Sequence, residues 1–73
     1  MRLPRGLSGW QAVRAFERAG WQHVRTHASH AMLQKGSHDF TLAVPLHHEL
    51  GPGLLRGPIR DAGMTVEEFA QLL

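Results

Sequence analysis

The 73-residue sequence predicts an α+β fold in the order α-β-β-β-α(-α), with a three-stranded antiparallel sheet packed on helices. Capping boxes followed by apolar residues at helical spacing mark helices near both ends of the chain. Between these helices, short segments separated by two tight turns predict a β-meander. Because each helix and strand has one apolar side, we expect the helices to cover one face of the sheet and to leave the other face open.

The first helix begins at a capping box, Ser8-Gly9-Trp10-Gln11, and Gly20 ends it. Gln11, Arg14 and Arg18 share the outer side of the helical wheel. The apolar residues share a broad arc that is predicted to face the core: Trp10, Ala12, Val13, Phe16 and Ala19. Trp21, just after the helix, fits either the core or a partner interface.

Three strands are predicted next, over residues 22–26, 30–34 and 38–44. The turns between them fall at residues 27–29 and at Lys35-Gly36-Ser37. Pro45 ends the third strand because proline has no amide to donate to a ladder. The inward residues of that strand are predicted to be Phe40, Leu42 and Val44.

Two helices are predicted in the C-terminal part of the chain. After a loop over residues 46–53, one helix spans residues 54–62 and ends at Gly63, with an apolar side of Leu55, Ile59 and Ala62. Pro58 removes an amide that would bond back to Leu54, so we expect an irregular first turn or a later start. Thr65-Val66-Glu67-Glu68 is a second capping box, which opens a short helix. Its inward residues are predicted to be Val66, Phe69 and Leu72.

Length and composition predict one globular domain over residues 1–73, with residues 1–7 as an N-terminal arm. The absence of cysteine excludes disulfides and thiolate metal sites. No apolar run approaches the roughly 18 residues of a membrane span, so we expect a cytoplasmic protein. Residues 1–38 contain six basic residues and one acidic residue (+5), whereas residues 39–73 contain two basic and five acidic (−3). The basic part is suited to a polyanion, the alternative being scattered solvated charge.

All six histidines lie in the central stretch of the chain: His23, His27, His30, His38, His47 and His48. A zinc site is one reading, but the His27 and His30 pair falls across a turn, no Cys is available, and Asp39 or His38 could complete the site only through a tertiary contact. A lone histidine acting as general acid or base is another, because imidazole exchanges protons near neutral pH. Cleavage of an RNA phosphodiester needs such a group together with cations, for which Arg14, Arg18, Arg25 and Lys35 are candidates. For any single histidine, a surface or capping role is the third reading.

Short pieces of the sequence resemble, in order and spacing, the HicA family of toxin–antitoxin systems. They run between residues 8 and 72 as Ala19-Gly20-Trp21, Val24-Arg25, Ala28-Ser29-His30, Val44-Pro45-x-His47, Glu49-Leu50, Gly53-x-Leu55-Arg56, Ile59-Arg60-x-Ala62-Gly63 and Glu67-Glu68-Phe69. The resemblance implies a double-stranded-RNA-binding-domain-like fold and mRNA interferase activity, that is, a metal-independent endoribonuclease without a cofactor. It also implies mRNA as substrate and a HicB-type antitoxin as partner, with no membrane or DNA contact by the toxin alone.

The resemblance also implies which histidine is catalytic. The family carries a Gly-Ser-His or similar tripeptide at the start of its second strand, and Gly36-Ser37-His38 is a literal copy. His38, however, precedes Val44 by only six residues, whereas His30 precedes it by fourteen, which is the family spacing. His30 is therefore the expected catalytic residue, and residues 36–38 are expected in the second turn.

Several residues depart from the family pattern. Ala28 stands where Gly is usual, and a positive φ there would cost an alanine about 1 kcal/mol. His27 stands where Lys or Arg is common, so a constant charge becomes pH-dependent. Pro58 inside the second predicted helix is also unusual. The residues expected to bind RNA are Arg14, Arg18, Arg25, His27, Ser29 and Lys35.

Two functions without cleavage stay open at this point. A non-catalytic RNA-binding module of the same fold needs only shape and cations. A protein-binding domain would instead use its basic side to meet an acidic partner. A metal-dependent variant of the nuclease is a further alternative.

Overall fold

The computed structural model describes residues 3–36 and 38–73 and confirms the predicted α+β order. Residues 1 and 2 of the predicted arm and Ser37 of the predicted second turn lie outside the described residues. None of the helices in the described ranges has the length and apolar character of a membrane span. The elements are α1 (Gly9–Arg18), β1 (Gln22–His27), β2 (His30–Gln34), β3 (Leu42–Pro45), α2 (Pro52–Asp61) and α3 (Val66–Ala70).

The strands form one antiparallel sheet in the order β1-β2-β3, which confirms the predicted meander. Ala31 and Leu33 of β2, and Leu42 and Val44 of β3, are buried and face the helices. Because successive strand residues point to opposite faces, the residues between them lie on the other side of the sheet. We call this side the open face; across the three strands it comprises Gln22, Arg25, His27, His30, Met32, Gln34, Ala43 and Pro45.

A β-bulge places the β1 residues on the open face. The register shifts between His23 and Arg25, so Val24 has no direct partner on β2. Arg25 is paired with Met32 and His27 with His30, and directly paired residues share a face. Without the extra residue, Arg25 and His27 would point toward the helices.

α1 and α2 cover the other face of the sheet and enclose the core. The rings of Phe16 on α1 and Phe69 on α3 lie 4.8 Å apart between their centroids. Leu3 and Leu7 are also buried, and Leu7 forms a β-bridge with Leu50. The largest fully buried side chains are Phe16, Phe69, Leu33, Leu42, Leu50, Leu55, Ile59, Val13 and Val44.

The capping box of α1 is confirmed, but the predicted core position of Trp10 is wrong. Gln11 donates its backbone amide to the Ser8 hydroxyl, and Ser8 donates its own to the Gln11 side chain. Trp10 is 50% exposed, because at about 100° per residue it lies well outside the arc centred on Ala12 and Phe16. Its ring instead contacts the ring of His23 at the sheet edge, 5.6 Å between centroids.

The third strand is shorter than predicted. β3 begins at Leu42, and the Phe40 side chain is 42% exposed, so the predictions of a strand from residue 38 and of an inward Phe40 are wrong. A turn bond from the His38 amide to the Lys35 carbonyl, 2.9 Å, precedes a bend over residues 39 and 40. Trp21 is buried at this end of the molecule and contacts His38 and Phe40.

α2 begins earlier than predicted. Pro52 occupies its first turn, where the missing amide is not needed and the fixed φ suits a helix. Pro58 therefore lies in the helix interior, and the expectation of an irregular first turn or a later start is wrong. Leu55 and Ile59 are buried as predicted. The capping box of α3, between Thr65 and Glu68, is also confirmed.

Candidate active site

His30 is the first residue of β2 and lies on the open face of the sheet. Its neighbours in the same row are His27 on β1 and Pro45 on β3, each a direct pairing partner. Directly opposed residues in antiparallel strands have Cα atoms about 4.5–5.5 Å apart, so His27 and His30 are close neighbours on this face. Both histidines are exposed to solvent, which leaves their ring nitrogens accessible to a large ligand.

The next row of the open face adds a permanent positive charge. Arg25 on β1 is paired with Met32 on β2, and Met32 with Ala43 on β3. Arg25 is exposed and two residues from His27, so its guanidinium shares a surface with both imidazoles. These three side chains thus place two imidazoles and one guanidinium on one exposed surface.

Hydrogen bonds from the segment after β3 hold the hairpin turn that precedes His30. Ala28 and Ser29 form the two-residue turn between His27 and His30. The Ser29 carbonyl accepts a 2.7 Å hydrogen bond from the Leu46 amide, just after β3. The following segment is tied to α1, because Gly9 donates its amide to the His47 carbonyl at 2.9 Å. The start of α1, the end of β3 and the β1–β2 hairpin that contains His30 therefore form one connected unit.

Ala28 adopts the positive φ that was considered for this position because Gly is usual there. Its φ is 55°, and no other described non-glycine residue has a positive φ. A positive φ at the first residue of a two-residue hairpin turn is normally supplied by Gly. The backbone that places His30 is therefore strained at this point.

Replacing Ala28 by Gly should stabilise the domain by about 0.5–1 kcal/mol. The substitution relieves the roughly 1–2 kcal/mol left-handed penalty, and the greater freedom of Gly in the unfolded chain offsets part of the gain. Thermal unfolding should show a melting temperature about 2–8 °C higher. Ala43→Gly, in exposed β3 with ordinary φ, is the control and should lower the melting temperature. A lower melting temperature for Ala28→Gly would contradict the strained-turn interpretation.

Two of the predicted RNA-binding residues lie on another surface. Arg14 and Arg18 are exposed on the outer side of α1, which covers the helix-bearing face of the sheet. Arg18 donates from Nη1 to the Leu72 carbonyl at 2.8 Å, so it holds the C-terminal segment. The structure does not bring these arginines to His30, whereas Arg25 and His27 share its face of the sheet and Ser29 precedes it in the hairpin turn.

Lys35 is also remote from His30, because it lies just beyond the opposite end of β2. Its Nζ donates to the Ala19 carbonyl at 3.0 Å, at the C-terminal end of α1. A cation there satisfies a carbonyl that lacks a helical partner and interacts well with the helix dipole. Lys35 therefore has a structural role that its charge alone did not reveal.

The remaining histidines do not join this site as a metal centre. His38 is half-buried, with its ring 5.0 Å from that of Trp21 between centroids, at the end of the sheet opposite His30. His47 and His48 are exposed in the loop after β3. Across residues 3–36 and 38–73, no group of three or more His, Cys, Asp or Glu side chains could hold a metal ion.

Sequence reasoning missed Met32 and Pro45 as neighbours of His30. Both lie on the open face beside it, Pro45 as its β3 partner and Met32 two residues along β2. The period-two pattern of β2 contained the signal for Met32. The pairing with Pro45 depends on the register between β2 and β3, which no local pattern determines.

The chain was compared with models of known protein families. A family model described as HicA toxin of bacterial toxin-antitoxin matches residues 9–64, which include the β1–β2 hairpin and most of the fold. A comparison with individually curated proteins gives no significant match. One helix, three antiparallel strands and further helices are consistent with the double-stranded-RNA-binding-domain-like fold of that family. The chain belongs to the HicA toxin family of bacterial toxin–antitoxin systems.

Proposed function

We propose that this protein is an mRNA interferase that cleaves RNA without a metal ion and uses His30 as general acid or base. The observation that carries the proposal is the exposed row of His27 and His30 with Arg25 on the same face. An RNA strand lying across an open sheet can reach all three groups without entering a pocket. The small size of the domain is compatible with such a site, because this chemistry does not require a deep pocket.

RNA supplies its own nucleophile, so the protein needs only proton transfer and charge stabilisation. The ribose 2′-oxygen attacks the adjacent phosphorus and loses its proton, while the bond from phosphorus to the 5′-oxygen breaks and that oxygen gains a proton. The products are a 2′,3′-cyclic phosphate and a 5′-hydroxyl. His30 transfers a proton in this step, and Arg25 stabilises the negative charge that develops on the phosphoryl oxygens. His27 and Ser29 contact the RNA beside the reacting phosphate.

The other expected RNA contacts have a different place in this proposal. Arg14 and Arg18, on the opposite surface, could reach only a separate segment of RNA. Toxins of this family generally act with a HicB-type antitoxin, and we propose that such a protein silences this chain by covering the open face. Because the proposed substrate is mRNA, we expect the protein to act in the cytoplasm. We expect residues 1–73 to act as a single domain.

The proposal predicts cleavage that depends on the ribose 2′-hydroxyl and not on divalent ions. Purified protein in EDTA should cut a single-stranded RNA and leave a 5′-hydroxyl product, read by labelling with polynucleotide kinase. The same sequence as DNA, or with 2′-O-methyl riboses throughout, is the control and should stay intact. Cleavage of either control, or cleavage only with added metal, would contradict the mechanism. Salt-sensitive RNA binding without any cleavage would instead favour the non-catalytic RNA-binding module.

A further inference from the structure

A cavity lies at the end of the open face opposite His30. It has a volume of about 440 Å³, which is within the range of small-molecule sites. Gln22 and Gln34, paired across β1 and β2, line it together with Thr41. The Gln34 side-chain amide donates to the Thr41 hydroxyl at 3.4 Å. The cavity is thus continuous with the surface that carries the proposed catalytic residues.

One wall of the cavity is an exposed aromatic ring. Phe40 is 42% exposed and lines the cavity, and its ring contacts two other rings. The Trp21 and His38 ring centroids lie 5.8 and 6.1 Å from that of Phe40. A ring fixed in this way offers a ready stacking surface, and every nucleobase has a face that can stack on it.

The polar groups of the cavity fit the edge of a base better than a phosphate. The amides of Gln22 and Gln34 each contain donors and an acceptor, as base edges do. Asp39 also lines the cavity, and its carboxylate repels a phosphate but can accept from a base N–H. The Lys35 ammonium, the cation of this cavity, already donates to the Ala19 carbonyl.

The spacing between the cavity and His30 suits one RNA strand. Gln34 is four residues from His30 along β2, or about 13 Å at the usual strand rise. That length corresponds to about four stacked nucleotides and to fewer when the strand is extended. Met32 and Ala43, which lie between the two sites on the open face, leave a surface without negative charge.

We propose that this cavity binds one unpaired nucleobase of the RNA substrate, a few nucleotides from the cleaved phosphodiester, and thereby determines the sequence preference. Phe40 stacks on the base, and the Gln22 and Gln34 amides bind its edge. The inference rests on the proposed function, because it takes RNA as the substrate of the open face.

Nuclear magnetic resonance titration tests the cavity without requiring cleavage. The four nucleoside 5′-monophosphates are added separately to the ¹⁵N-labelled protein, with ribose 5-phosphate as the probe that lacks a base. At least one nucleotide should shift the side-chain amide signals of Gln22 and Gln34, and ribose 5-phosphate should not. Phe40→Leu should weaken this binding at least about fivefold, as expected for loss of a stacked base. Leu54→Ala, which removes another exposed apolar side chain on α2, is the matched control and should bind as the wild type does.

The proposal is overturned if no nucleotide shifts these signals, if ribose 5-phosphate shifts them equally, or if Phe40→Leu binds as tightly as the wild type. A second readout is the cleavage-site profile on a random-sequence RNA pool, where the wild type should show a base bias at a fixed distance from the cut. Phe40→Leu should flatten the bias, and Leu54→Ala should keep it. Cleavage without bias and without nucleotide binding would refute the cavity but leave the proposed function standing. Nucleotide binding at the cavity without any RNA cleavage would support the cavity but refute the proposed function.

Discussion

Cells that express the His30→Ala variant without a HicB-type antitoxin should grow normally, whereas the wild-type protein should arrest growth and deplete mRNA. General acid–base catalysis contributes about 10²–10⁴-fold to the rate of such a reaction, and loss of this factor should bring cleavage below the toxic level. His30 is exposed at a strand end, so its removal creates no cavity in the core. Growth curves together with transcript lengths measure the effect.

Two other histidines provide the controls for this prediction. His48→Ala, in the exposed loop after β3, should remain toxic. His38→Ala should also remain toxic, because His38 lies at the far end of the sheet from His30, and its contacts with Trp21 and Phe40 concern the proposed base cavity and not proton transfer. Protein levels need to be matched by immunoblot, since loss of an aromatic contact can cost about 0.5–1.5 kcal/mol. A harmless His38→Ala variant beside a toxic His30→Ala variant would show that the wrong histidine had been assigned.

Gly9→Ala should destabilise the whole domain, although Gly9 looks like an ordinary residue in the first turn of a helix. A Cβ at this position would clash with the Pro45 carbonyl oxygen and would lie 2.7 Å from the Leu46 Cα, both of them backbone atoms. The backbone shifts that accommodate such overpacking lower the free energy of unfolding by about 1–3 kcal/mol. Loss of the hydrogen bond from the Gly9 amide to the His47 carbonyl lowers it by about 1 kcal/mol more. A domain of 73 residues has roughly 4–11 kcal/mol of stability in total. Urea unfolding should therefore show a much lower midpoint.

Gly53→Ala is the matched control for Gly9→Ala. Gly53 lies in the first turn of α2, and a Cβ there would meet no atom within 4 Å. Alanine is the better helix former by about 1 kcal/mol, so this variant should be equal to the wild type or more stable. Equal unfolding midpoints for Gly9→Ala and the wild type would show that α1 does not approach the Pro45–Leu46 backbone as closely as described.

The order of the elements could be predicted because its signals are local. The capping boxes at Ser8 and Thr65 and the glycine after α1 act within a few residues, and all three behave as predicted. The errors arise where a distant segment decides the outcome. Trp10 was expected to face the core at the start of α1, but Gly9 is buried there instead. The start of α1 packs directly against the backbone after β3, where only a residue without a side chain fits. Trp21 is buried at the end of the core where Phe40 was expected to turn inward.

The candidate site could be predicted in part. The resemblance to the HicA family, with its spacing between His and Val-Pro, points to His30 at the start of β2, and the structure places this residue on the open face. The grouping of Arg14 and Arg18 with His30 rested on charge alone, which does not reveal the face on which a helix exposes its cations. The position of Arg25 depends on the bulge at Val24. Because of this extra residue, the strand residues after it point to the opposite face of the sheet from the one expected by regular alternation.

The most direct test of the central claim is the single-turnover cleavage rate of purified, folded protein on a single-stranded RNA in EDTA. Circular dichroism establishes that each variant is folded before its rate is measured. We expect His30→Ala to lower the rate constant by at least about 10²-fold and His48→Ala to cleave at the wild-type rate. A folded His30→Ala variant that cleaves as fast as the wild type would contradict the assignment of proton transfer to this histidine.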